Sequence, residues 1–207
     1  MNHDPSKPRP TVTFAGPQDG REIPWGNGGG ASRELILRTT PGKCDRLLWR
    51  MSTTEILGSS AFSTYTGFKR TITLLSGGTF TLDFFGDAPS HTMARFEPFD
   101  FDGGWKTHCH LPGEAARVLN VMTDETVEYS HDVLTPGVSA SSHRLMGDAV
   151  LLYALQGTVR IASDLALPVD ALTAGEMLAV EHAKGALLEM TSHAPSKILR
   201  FSFAVQR

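Results

Sequence analysis

The sequence predicts an all-β fold made of two successive jelly-roll halves. Three observations predict it. Short segments rich in branched and aromatic residues alternate with turn signals along most of the 207 residues. No amphipathic segment longer than two helical turns stands out. A strand–glycine turn–strand pattern in the first half, "TLLSGGTFTLDF" (73–84), returns in the second as "YALQGTVRIAS" (153–163).

Taken in order, "MNHDPSKPRP" reads as a proline-rich disordered lead-in, without the apolar core of a secretory signal. Strand character begins near Val12. Strands are expected over 34–39, 47–53, 70–75, 80–84, 92–96, 105–110 and 117–122, with turns at Pro41, Gly77 and Gly103. In the second half they are expected over 150–155, 158–162, 177–180, 186–191 and 197–204. Two further pairs repeat in the same order: "FDFDGGWKT" (99–107) with "ALTAGEMLAV" (171–180), and "RVLNVM" (117–122) with "KILRFS" (197–202). The pattern "LxGTVxI…LxAGEMLxV" is that of a cupin half-barrel. The expected fold is therefore a bicupin: a lead-in over 1–11, an N-terminal barrel over 12–135 and a C-terminal barrel over 136–207, packed as one unit with shared strands.

Composition narrows the partners. Hydrophobic residues make up 41% and charged residues 20%, with a net charge of −3, so no basic face for nucleic acid is expected. No apolar run reaches the ~18 residues of a membrane span. Cys44 and Cys109 form neither a disulfide framework nor a CxxC pair, which suits a reducing cytoplasm.

The stretch "IPWGNGGGASRE" (23–34) is the first candidate site. Gly28, Gly29 and Gly30 can present successive backbone N–H groups as an anion nest. Asn27 adds an amide, Arg33 a fork of donors, and Trp25 a wall. In "LLWRMS", alternation puts Leu48, Arg50 and Ser52 on one strand face. Arg70 opens "RTITLL". Arg117 and Asn120 fall on opposite faces of a regular strand, so a bulge is needed for both to reach one cavity. A buried arginine requires an anionic partner, either a ligand or one of Glu34, Glu55 and Asp83.

"HCHLPGE" offers His108, His110 and Glu114 as a metal alternative, because two histidines at i and i+2 share a strand face. It lies late in the first half, after the "GGW" turn, whereas a cupin metal motif precedes the glycine hairpin. Both barrels are therefore expected to be metal-free. No GxSxG elbow is present. Cys44, beside Lys43 and Arg46, and the pairs His131–Asp132 and Glu181–His182, with His143, are the remaining nucleophile or acid–base candidates.

Together, "PWGNGGGASRE", "WRMSTTEILGSSAFSTYTGFKRTITLLSG" and "RVLNVMT" resemble the HutD/Ves family over nearly the whole chain. The resemblance implies a cytoplasmic bicupin that binds a small acidic intermediate of histidine utilisation and restrains that pathway. The matching positions are Trp25, Asn27, Gly28 to Gly30, Arg33, Glu34, Arg50, Phe62, Ser63, Gly67, Arg70, Arg117, Asn120 and Met122. Two positions depart from the family pattern: Gly26 stands for a usual lysine and Val118 for a usual aspartate.

The expected function is recognition of a small carboxylate or formylated amino-acid derivative by Trp25, Asn27, Gly28, Gly29, Gly30, Arg33, Arg50, Ser63, Arg70, Arg117 and Asn120. No cofactor, nucleic acid or membrane is expected, and the protein is expected to be a monomer or homodimer. The alternative is a metal-free cupin isomerase, lyase or hydrolase, for example in secondary metabolism.

Overall fold

Alternating branched residues and glycine turns leave the backbone one economical solution, stacked antiparallel strands with one face dry. The structure, a computed structural model, describes residues 8–25, 30–40 and 45–205. Among them lie nineteen strands and no helix. They are β1 (Thr11–Ala15), β2 (Arg21–Pro24), β3 (Gly30–Thr39), β4 (Leu47–Ile56), β5 (Ser60–Ala61), β6 (Phe68–Gly77), β7 (Thr81–Asp83), β8 (His91–Thr92), β9 (Pro98–Asp102) and β10 (His108–His110). There follow β11 (Ala116–Asp124), β12 (Val127–Leu134), β13 (Ser141–Arg144), β14 (Ala149–Gln156), β15 (Thr158–Ser163), β16 (Ala171–Thr173), β17 (Met177–Glu181), β18 (Leu187–Thr191) and β19 (Lys197–Val205).

The chain divides into two units. Gly20–Val127 carries a six-stranded sheet, β2-β3-β4-β11-β6-β9, and a four-stranded sheet, β5-β10-β7-β8. Its core joins Ile56, Ile72, Leu74, Ala116 and Val118 of the large sheet to Leu82 and Cys109 of the small one, with Phe80, Phe84 and Met93 filling the space. The other unit joins the described residues before Gly20 to those after Val127. Its sheets are β1-β17-β14-β19-β12 and β13-β18-β15-β16. Here Val150, Leu152, Leu178, Val180 and Ile198 meet Val159, Ile161, Leu188 and Met190 in an apolar core.

The duplication is visible in the strand order. Adding eight to each label turns β4-β11-β6-β9 into β12-β19-β14-β17, and β5-β10-β7-β8 into β13-β18-β15-β16. The fold is a bicupin. The sequence repeat pairs the β6–β7 hairpin with β14–β15, and β11 with β19, in line with this order. The middle landmark is offset: 99–107 begins in β9, whose counterpart is β17, whereas 171–180 begins one strand earlier, in β16.

The division also differs from the expected 12–135 and 136–207. β1 pairs antiparallel with β17, Thr11 opposite Glu181 and Ala15 opposite Met177, so the first strand belongs to the C-terminal unit. Val12 and Phe14 pack on that core, and β1 covers the edge that β17 would otherwise expose.

Candidate functional site

Strand alternation builds the floor of a cavity in the Gly20–Val127 unit. On β4, Arg50, Ser52, Thr54 and Ile56 face inward, while Trp49 and Met51 face the other way and are buried. On β11, Asn120 and Met122 face inward. Cross-strand register then aligns Arg50, Met122, Arg70 and Phe101 in one row across β4, β11, β6 and β9. At the usual strand spacing the two arginine backbones stand roughly 10 Å apart. Trp25, Pro24 and Ile23 from β2 and its exit, and Ala61, Phe62, Ser63 and Tyr65 from the segment after β5, complete the walls. The cavity volume is about 330 Å³, enough for a small metabolite.

One hydrogen-bond chain orders the polar lining. The Trp25 indole N–H donates to Ser32 Oγ at 2.9 Å, and the Ser32 and Thr54 hydroxyls share a bond of 2.9 Å. The Asn120 amide donates to Thr54 Oγ1 at 3.4 Å, and its Oδ1 accepts from the Arg70 guanidinium at 3.2 Å. Two hydroxyl hydrogens share one Ser32–Thr54 bond, so one hydrogen is left over to donate elsewhere.

The two guanidiniums set the electrostatics. Arg70 is 8% exposed. Its charge is flanked by the rings of Phe101, Phe62 and Tyr65, with centroids at 4.9, 5.1 and 5.8 Å. Arg50 reaches the same Tyr65 ring at 5.8 Å and touches the Met122 sulfur at 3.1 Å. Nε of both arginines is shielded from water and has no hydrogen-bond partner among the described residues. Among the described residues no lining side chain is an acid, and neither Glu34, Glu55 nor Asp83 forms an ion pair with either arginine. Burial, reinforced by the nearby charge of Arg50 and opposed by Tyr65, lowers the Arg70 pKa to about 10, so the group remains cationic at neutral pH. The result is a donor-rich, doubly cationic hollow that an anion would complete.

The sequence candidates separate cleanly. Trp25, Arg50, Ser63, Arg70 and Asn120 come together here. Asn27, Gly28 and Gly29 lie outside the described residues, as does Cys44. Gly30 opens β3. Arg33 is not in the lining: its neighbour Ser32 takes the inward face, and Arg33 pairs with Glu22 at 2.7 Å. Arg117 also stays out. The register shift at Arg117/Val118 lies on the β6 side, where Leu75 is the extra residue, so β11 keeps its alternation and presents Val118 and Asn120 inward. Residues missed by sequence reasoning are Ile23, Pro24, Ser32, Thr54, Ile56, Ala61 and Tyr65, and Ser52 was placed on the Arg50 face without being assigned to the site. Continuing by twos beyond Ser52 would have reached Thr54 and Ile56. Tyr65, in a turn, carried no signal of its own.

The other candidates lie elsewhere. Among the described residues no set of three histidine, cysteine or acidic side chains is arranged to hold a metal, and Glu114 is exposed beyond the end of β10. Cys109 is fully buried, and burial pushes its thiol up to about 11. In the C-terminal unit, Arg200 of β19 stands at the place Asn120 holds in β11. Arg200 donates twice to Asp132, at 2.8 Å each, and approaches His143 Nδ1 at 3.5 Å. Burial, then the Arg200 charge, lowers the His143 pKa, with Asp132 opposing. That cluster is neutralised by the protein itself, in contrast to Arg50 and Arg70.

Against known proteins, the HutD family profile matches residues 17–199. The chain belongs to the HutD family. A Pseudomonas putida relative, an uncharacterized 21.2 kDa protein in the hutC 3' region, is 38% identical over 105 residues, covering 51% of this chain and 54% of that protein. Protein Ves of Citrobacter koseri is 37% identical over 109 residues, covering 51% and 56%. The chain thus spans about half the length of the curated relatives it matches. The solved HutD of Pseudomonas fluorescens SBW25 superposes with a TM-score of 0.81 at 20% identity, over 95% of this chain and 100% of that one, a likeness of fold.

One departure of this HutD-family chain now has a structural meaning. Val118 is fully buried and shares the inward face of β11 with Asn120. An aspartate there would put a carboxylate into the apolar core that valine fills. Gly26 lies outside the described residues.

Proposed function

We propose that this protein binds a small carboxylate, of the kind represented by formylated or formimino amino-acid derivatives and urocanate, in the cavity between β4, β11 and β6. The single observation that carries the reading is a pair of cavity-lining guanidiniums with no acid among the described lining residues. Charge-assisted bonds to a carboxylate fit these donors, and the apolar wall of Ile23, Pro24, Trp25, Ile56 and Phe62 suits the ligand's carbon skeleton. Histidine and carboxylate side chains are missing from the described lining, which favours binding over acid–base catalysis.

The pathway assignment rests on the family and on the hutC-adjacent relative: the protein senses an acidic intermediate of histidine breakdown in the cytoplasm and restrains the pathway. The experiment is thermal unfolding with urocanate, formylglutamate and formiminoglutamate, each set against its uncharged amide. A binding acid at a hundred times its dissociation constant adds roughly 2.7 kcal/mol of stability. A shift with an acid and none with its amide supports the reading. No shift with any small carboxylate overturns it.

A further inference from the structure

We propose that His108 and His110 form a chelating pair for a divalent transition-metal ion on the outer face of the small β5-β10-β7-β8 sheet, with Asp83 closing onto the bound ion as third ligand. The site is separate from the anion cavity, whose lining includes none of these residues.

Alternation sets up the pair. Cys109 between them is fully buried in the core, so the two flanking imidazoles share the opposite face. Their ring centroids are 4.4 Å apart, with the planes tilted by 46°. A metal–imidazole bond of roughly 2.1 Å places each ring centroid roughly 3.2 Å from the ion. Two such rings at a right angle around one ion have centroids roughly 4.5 Å apart, so the ring separation is compatible with one shared ion. Antiparallel register puts Asp83 of β7 directly opposite His108 and diagonal to His110. The Phe85 N–H holds Asp83 Oδ1 at 2.9 Å, and Oδ2 lies 3.9 Å from His110 Nε2. Two atoms ligating one ion lie roughly 3.0–3.5 Å apart, so the carboxylate has to close by about half an ångström or more. The bond from Phe85 is the kind of outer support that orients a ligating carboxylate.

A further observation points to a ligand. His108 Nδ1 is shielded from water and has no hydrogen-bond partner among the described residues. An unsatisfied buried ring nitrogen marks a histidine whose partner the described residues do not supply. Because no three-ligand set is preassembled among the described residues, the ion is held by a two-imidazole chelate, with Asp83 and water filling the remaining positions. Imidazole donors select zinc, cobalt, nickel or copper over magnesium and calcium, which prefer oxygen.

The test is calorimetric titration of the full chain with zinc(II), and cobalt(II) absorption as a report on coordination geometry. Wild type should bind one ion at this site and show cobalt d–d bands. His110→Asn and His108→Asn should each weaken zinc binding roughly tenfold or more and remove the bands, and Asp83→Asn should weaken it less. His110 is 56% exposed in its side chain, so His110→Asn should fold as wild type and carries the test if His108→Asn does not. Zinc affinity unchanged in His110→Asn, or no zinc binding by wild type, overturns the proposal.

Discussion

Replacing Arg70 with methionine should leave the unliganded protein almost as stable as before and remove its response to ligand. Burial brings the guanidinium from its ordinary value down to about 10. At about 1.4 kcal/mol per unit, the buried charge is disfavoured by roughly 3 kcal/mol relative to water. The folded value lies below the unfolded one. The penalty therefore applies in full at neutral pH and fades only as pH rises from about 10 toward the ordinary arginine value. Against it stand the three aromatic rings, at roughly 0.5–1 kcal/mol each, and the hydrogen bond to Asn120, worth about 1 kcal/mol. These terms nearly cancel, so Arg70→Met should alter stability by about 1 kcal/mol or less, a shift of about 4 °C at most for a chain of this size. Truncating an ordinary buried side chain costs about 2–5 kcal/mol. The assay is urea and thermal unfolding with and without the acids named above. Loss of about 3 kcal/mol without ligand would show that Arg70 holds the fold together, and a retained ligand shift would show that it does not hold the ligand. Either result refutes the reasoning.

Further outcomes follow from the same geometry. A Cβ at Gly103 would lie 2.8 Å from the backbone oxygens of both Tyr65 and Phe68, so Gly103→Ala should displace the Tyr65 turn, destabilise the protein by about 1–3 kcal/mol and weaken ligand binding, as read by calorimetry. Arg200→Gln should raise the His143 pKa, because one cation that depresses it is gone and Asp132 is freed; proton NMR titration checks the direction. In wild type the depressed folded value of His143 means that stability falls as pH drops below the ordinary histidine range, and Arg200→Gln should flatten that slope. In a Cys44→Ser background, Cys109 should resist thiol reagents in the native state and react at the rate of unfolding, since burial removes both access and thiolate.

Much of the fold was legible because its signals are local. Glycine turns and branched runs mark strands without knowledge of their partners, and the repeated β6–β7 and β14–β15 hairpins announced the duplication. The placement of β1 was not legible: nothing in "TVTFA" says that its partner is β17, some 160 residues away. Within the site, Arg50 and Asn120 were readable because alternation fixes the face of a strand residue. By the same rule Arg33 and Arg117 lie outside this cavity, each one residue out of phase with an inward neighbour, Ser32 or Val118. Phe101 and Tyr65 could not be read at all. Their contact with Arg70 depends on the β6–β9 register and on a turn tied to Gly103, where Tyr65 N–H donates to the Gly103 carbonyl. Arg70 itself shows why a charge in an apolar run is informative. Sequence gives its presence, but only the assembled sheet shows that no acid among the described residues pairs with it.

A crystal structure of the protein soaked with formylglutamate tests the central claim most directly. The account predicts carboxylate density in the cavity, within hydrogen-bond distance of the Arg70 and Arg50 guanidinium groups. Density elsewhere, or a cavity holding only solvent at saturating ligand, would contradict it.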